Sequence, residues 1–156
     1  MRLILSFTII AMLCSFAASA KAQAITELAS LRFGRLIVPG SGGMMQIDPD
    51  NNVSIGSNLV VTPPNPRRGR YRIQGGGSGT IDIAVTNTNT CDPSLSLDAF
   101  PAIWRNVDYP DIFSSPITAA SYNGNSVLRL GARISYTSDV PFGACPGSFD
   151  IEFTVY

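Results

Sequence analysis

Thr80-Ile81-Asp82-Ile83-Ala84-Val85-Thr86 alternates apolar and polar residues without a fault. Successive side chains on an extended strand point to opposite faces, so Ile81, Ile83 and Val85 share one face, and Asp82, Ala84 and Thr86 the other. Helical spacing would scatter the three apolar residues around the axis; a half-buried strand gathers them. The end of the chain repeats the pattern. Phe149, Ile151, Phe153 and Val155 alternate with Asp150, Glu152 and Thr154, and Tyr156 closes the run. Gly69 to Gln74 is a third case, with Tyr71 and Ile73 opposite Arg70 and Arg72.

Between these runs the chain is punctuated by Gly, Pro and Asn. Leu28 to Val38 reads as a strand broken by Gly34. Gly43 to Asp48 reads as another, ended by the turn signal Pro49-Asp50-Asn51-Asn52. Val53 to Val61 and Ser94 to Asp98 add two more. Thr62-Pro63-Pro64-Asn65-Pro66 cannot pair inside a sheet. Ile117 to Tyr122 and Ser126 to Tyr136 flank Asn123-Gly124, the strongest short hairpin signal in the chain. In the second arm Leu128, Leu130, Ala132, Ile134 and Tyr136 fall on one face. Phe100 to Pro116 reads as a long irregular stretch with three prolines. Eight or nine short strands without a convincing helix predict an all-β fold, an immunoglobulin-like antiparallel β-sandwich, with a closed barrel as the alternative.

The first 24 residues read as an address. Arg2 precedes the apolar run Leu3 to Phe16, and small residues follow up to Ala22-Gln23-Ala24. That order is the pattern of a secretory signal peptide, and the apolar run is too short for a spanning helix. The expected organisation is a signal peptide over 1–24 and a single β-sandwich domain over 25–156, without a membrane span in the mature chain. The expected location is the periplasm, cell surface or extracellular space of a Gram-negative bacterium. Removing Arg2 and Lys21 leaves nine basic residues against 11 acids, a formal charge of −2. A field so weak does not draw nucleic acid to the domain. Cys91 and Cys145 are the cysteines left after the leader, and an even pair in an oxidising compartment predicts one disulfide. It would close a loop of about 55 residues and contribute about 4 kcal/mol in the chain-entropy account.

The domain contains neither histidine nor lysine. This excludes Ser-His-Asp and Cys-His nucleophiles, His-ligated metals and Schiff-base lysines. The expectation is a non-enzyme without a cofactor or metal. The candidate carboxylates for acid–base chemistry are Asp108 and Asp111, whose spacing is uninformative. Asp48-Pro49-Asp50-Asn51-Asn52 begins like a calcium loop. Val53 and Leu59, however, stand where such a loop needs Gly and Glu, so a hairpin turn explains the segment better. Arg67-Arg68-Gly69-Arg70-Tyr71-Arg72 is the basic cluster; in an exported protein it reads as a solvated strand face, with an acidic glycan as the alternative partner. Phe100, Trp104, Tyr109 and Phe113 crowd the irregular stretch. They either cap the open end of the sandwich or expose rings, Trp104, Tyr109 and Phe113 above all, to a glycan or protein.

Leu31-Arg32-Phe33-Gly34, Gly42-Gly43, Tyr71-Arg72-Ile73-Gln74-Gly75, Leu130-Gly131-Ala132 and the ending Gly143-Ala144-Cys145-Pro146-Gly147-Ser148-Phe149-Asp150-Ile151-Glu152-Phe153-Thr154-Val155-Tyr156 follow one another in a recognisable order. Over nearly the whole mature chain this resembles the bacterial exported family known as domain of unknown function 4402. The resemblance implies an exported β-sandwich comparable with fimbrial subunits, and it brings no catalytic residues. Cys145 stands where that family usually has an aromatic, which marks the disulfide as a local specialisation. The ending also resembles the last strand of chaperone-assembled pilus subunits. Gly143 is the fourteenth residue from the end, and Phe149, Ile151, Phe153, Val155 and Tyr156 would form the assembly strand. The tyrosine is last, where those subunits have it second to last, and Glu27 makes the mature N-terminus a poor donor strand. The expected function is therefore an exported structural or adhesive surface protein resembling a fimbrial or pilus subunit. Its partners would be other copies or subunits and a periplasmic chaperone. The alternative is an extracellular glycan- or ligand-binding module.

Overall fold

The computed structural model describes residues 24–37, 42–56, 59–76, 80–90, 92–120, 123–137 and 148–155. The segment expected to be a signal peptide lies outside the described residues up to residue 23, as do Cys91, Cys145, Gly143 and Tyr156, and with them the expected disulfide. The fold is all-β and sandwich-like. Fourteen strands are present among the described residues: β1 (Ala24–Ala29), β2 (Arg35–Ile37), β3 (Gly43–Ile47), β4 (Val53–Ile55), β5 (Val60–Thr62), β6 (Gly69–Gly76), β7 (Thr80–Asn89), β8 (Leu95–Ala99), β9 (Ala102–Trp104), β10 (Val107–Tyr109), β11 (Ile117–Ala120), β12 (Asn123–Leu130), β13 (Ala132–Tyr136) and β14 (Ser148–Val155). They form antiparallel sheets in the orders β1-β6-β12-β9-β10, β11-β7-β14, β4-β3-β13-β8 and β2-β5.

The period-2 reading transfers directly to burial. Ile81, Ile83 and Val85 of β7 are buried, and Asp82, Ala84 and Thr86 between them are half-exposed. Tyr71 and Ile73 of β6 are buried, and Arg70 and Arg72 are exposed. Inward residues of the three larger sheets, with Phe33, Leu59, Phe100 and Ile112 from the connections, make one apolar cluster. No polar or charged residue is buried among the described residues. Each large aliphatic or aromatic side chain removed from water there contributes about 1.5–3 kcal/mol before the entropy of ordering it.

Fourteen strands replace the expected eight or nine because four segments behave differently from their sequence reading. In place of one strand over Leu28 to Val38 the chain forms β1 and β2, which belong to different sheets, with Gly34 at φ +83° between them. Val53 to Val61 splits into β4 and β5, which belong to different sheets. Ser126 to Tyr136 splits at Gly131 into β12 and β13, also of different sheets. A Cβ at Gly131 would lie 2.1 Å from the Ile47 carbonyl oxygen, and the Gly131 N–H donates to the Pro101 carbonyl at 2.7 Å. The chain thus turns a corner where only a residue without a side chain fits. Its phase survives the corner: Leu128, Leu130, Ala132, Ile134 and Tyr136 are all buried. The stretch expected to be irregular carries a short hairpin, β9–β10, paired through Trp104↔Val107, Ile103↔Asp108 and Ala102↔Tyr109.

The expected hairpin at Asn123-Gly124 does not form. Both residues lie inside β12, opposite Gly76 and Gly75 of β6. Its supposed first arm, β11, pairs instead with β7. The φ of +141° at Gly124 exploits a glycine, but not to make a turn.

Candidate functional site

The aromatics of residues 100–113 do not form an exposed platform. Trp104 is 1% exposed and Phe100 is fully buried, so both rings close the core. A sugar-stacking surface centred on Trp104 is corrected by this burial: alternation on β9 turns its largest ring inward. Tyr109 packs partly buried against the core, and Phe113, 43% exposed, leans on Phe100 with centroids 6.2 Å apart and planes at 52°.

Asp111 explains why this stretch is ordered. Its Oδ1 accepts from the backbone N–H of Phe100 (2.9 Å) and Phe113 (3.1 Å), and its Oδ2 accepts from the Ser114 hydroxyl (2.7 Å). The Ile112 N–H donates to the Phe100 carbonyl, and the Val85 N–H donates to the Ile112 carbonyl, stitching the loop to β7. Burial pushes the Asp111 carboxyl up, but the Ser114 hydroxyl and the Phe100, Phe113 and Ser114 amides outweigh it and hold the group below its ordinary value. Its oxygens are engaged in loop structure; Asp108 stands exposed on β10. The two make no acid–base pair recognisable from these contacts.

Asp48 plays the same part at the β3–β4 hairpin. Its Oδ1 accepts from the amides of Asp50 and Asn52, both at 2.8 Å, and its Oδ2 accepts from the Asn52 side-chain amide at 2.7 Å. Burial opposes ionisation here too. The Asn52 and Asp50 hydrogen bonds and the Arg68 charge win, leaving the Asp48 pKa lowered. Carboxylate oxygens filled by N–H donors make a turn, not a calcium cage. Among the described residues no group of three metal-ligating side chains comes together.

Two surfaces remain. The first is an open cleft of about 340 Å³ lined by Ile25, Glu27, Ser30, Leu31, Tyr71, Asp150 and Ile151. It lies between β1, the edge of the five-stranded sheet, and β14, the edge of the three-stranded sheet. β14 pairs with β7 from Ser148 to Val155, so the expected assembly strand is a strand of the chain's own sheet, with its other side at the edge. Phe149, Phe153 and Val155 are placed by their backbone on β14, and Ile151 is half-buried against the core. Glu27 sits opposite Tyr71 on β1 and is one of the residues lining this cleft. Burial, helped by the Glu27 charge, pushes the Tyr71 phenol up to about 12.

The second surface is the outer face of the five-stranded sheet. Arg68 and Arg70 from the sequence cluster meet Arg105 and Arg129 around an open groove of about 260 Å³, with Ile103, Asn106 and Val127. Arg105 and Arg129 were not legible as partners, because only the pairing register brings residues so far apart in sequence together. The signal that was available is the polar phase of Arg129 in its alternating strand.

Among the described residues no helix is long and apolar enough to cross a membrane. Comparison with curated proteins finds no match, and comparison with solved structures finds none. The model of the family described as "Domain of unknown function (DUF4402)" matches residues 24–155, from the first residue of β1 to the last of β14. The match spans more than half of the chain, and the chain belongs to the DUF4402 family.

Proposed function

We propose that this chain is an exported structural or adhesive subunit of a bacterial surface assembly, fimbria-like in organisation, acting through its surface and not through chemistry. One observation carries the reading: among the described residues β1 and β14 are both edge strands, and both border one cleft. An edge strand presents unpaired N–H and C=O groups that an added strand from another chain can satisfy, while the alternating side chains set the register. The leader pattern before Ala24 and the apolar alternation of the last strand agree with it. A periplasmic chaperone would cover the same edge before assembly. A glycan-stacking module built on Trp104 is the weaker reading, since that ring faces the core.

Electrophoresis of unboiled and boiled samples of the purified protein tests the proposal. A ladder of oligomers that survives detergent and collapses on boiling is expected, as is its suppression by an added synthetic peptide matching residues 149–155. A single monomeric band in the unboiled sample, unaffected by protein concentration and by the peptide, would sink it.

A further inference from the structure

We infer that the outer face of the five-stranded sheet is an anion-binding site for the carboxylate or sulfate groups of an acidic polysaccharide, with Arg68, Arg70, Arg105 and Arg129 as its cationic walls. The inference is independent of strand exchange at the β1–β14 cleft.

Three observations carry it. First, Arg129 of β12 stands directly opposite Arg70 of β6. Like charges in direct cross-strand register destabilise a sheet, and nothing in the alternation of either strand requires two cations at that position. Second, the hairpin that brings Arg105 to the groove is strained. Arg105 (φ +52°) and Asn106 (φ +62°) both occupy the left-handed region. Asn tolerates it, but an Arg there bears a backbone strain that Gly or Asn would spare. Strain kept at a surface position is a pointer to use. The guanidinium is also steadied, its Cζ lying 5.6 Å from the centroid of the Trp104 ring.

Third, the groove already accepts a carboxylate. The Arg129 guanidinium donates to Asp50 Oδ1 at 2.8 Å, and Arg68 Nη1 lies 3.9 Å from the same oxygen. The Asp50 side chain is 58% exposed, so these are weak, displaceable pairs. Arg68 is anchored besides: its amide donates to Asn51 Oδ1 at 2.8 Å, and its guanidinium donates to the Pro49 carbonyl. Asp50 therefore occupies the place a ligand oxyanion would take. Asp108, opposite Ile103, is the other acid on this face, one strand further out.

The shape selects the class of ligand. The floor between the arginines is Ile103 and Val127, with no ring exposed for stacking, which a single-stranded nucleic acid would use. Two aliphatic side chains are too little apolar area for the centre of a stable protein interface. Guanidinium forks match carboxylate and sulfate oxygens bidentately.

The test is isothermal titration of the purified protein with polygalacturonate, dextran sulfate, neutral dextran, polyglutamate and a short DNA duplex. Salt-sensitive binding to polygalacturonate or dextran sulfate is expected, and the preferred polymer assigns the carboxylate or sulfate source. Arg70→Gln with Arg129→Gln should weaken it by about tenfold or more, the loss of two charge-assisted contacts. Asp50→Asn should tighten it several-fold by releasing Arg68 and Arg129, an effect no merely structural ion pair would give. Circular dichroism checks that the variants fold, and Arg105→Gln at the hairpin tip replaces the double variant if that one does not. Absence of binding to both acidic polysaccharides, tighter binding of polyglutamate or DNA, equal binding of neutral dextran, or unchanged affinity in the folded arginine variants would each overturn the assignment.

Discussion

Residues 100–116 and 117–130 exchange the roles their sequences suggest. The first has three prolines and no clean alternation, yet it holds the β9–β10 hairpin and supplies Phe100, Trp104 and Ile112 to the core. The second contains Asn-Gly between two apolar runs, yet its arms separate into different sheets. The difference lies in which contacts are left unsatisfied. A strand as short as β11, four residues, gains little from β12 as an isolated hairpin. β11 instead covers β7, and β12 is held along its whole length by β6. The first stretch meets β12 only through Ala102 and Ile103, so a single carboxylate and a local turn organise the rest of it.

The largest effect that would sharpen this contrast is Trp104→Ala. Removing a ring 1% exposed should destabilise the fold by about 3–5 kcal/mol in denaturant unfolding. A cost under 1 kcal/mol would mean that the stretch is an appendage.

Asp111→Ala comes next. It strips the acceptor from the Phe100 and Phe113 amides and should cost about 1–3 kcal/mol. The same group predicts a pH dependence. A carboxyl with a folded pKa below its unfolded value contributes stability that is complete above the unfolded value, 3.8, and is lost as pH falls through the folded one. Acid unfolding should thus begin as pH drops below about 4, with Asp48 acting in the same direction. In Asp111→Ala the slope of stability against pH in that window should be shallower; an identical slope would remove Asp111 from the account.

Arg105→Asn is expected to raise stability by about 0.5–1 kcal/mol, since Asn takes the left-handed turn position at lower cost. Thermal unfolding would show it, and a loss instead would mean that the Arg105–Trp104 contact outweighs the strain. The smallest effect belongs to the unused turn. Asn123→Thr puts a better strand former inside β12 and should change stability by no more than about 0.5 kcal/mol. A loss several times larger would restore a special backbone role to that position.

Much of the fold was legible because period-2 alternation depends on nothing beyond the residue and its neighbours. Ile81, Ile83 and Val85, or the five residues from Leu128 to Tyr136, are buried whichever strand lies beside them. The Asp48 turn was legible for the same reason: its acceptors and donors lie within five residues of chain. Of the surfaces, the sequence displayed the Arg67–Arg72 cluster and the alternating last strand, but not what faces them.

The all-β class, the inward face of each strong strand, the family and the lack of histidine and lysine in the domain follow from the residues and their order. Tertiary structure alone decided that Asn123-Gly124 would be extended, that Gly131 would mark a corner, that Trp104 would be buried and that Arg129 would stand against Arg70. The division is physical. Which way a side chain points follows from the local geometry of the backbone, whereas strand pairing is a competition among distant segments, settled by the total of hydrogen bonds and apolar surface each arrangement satisfies.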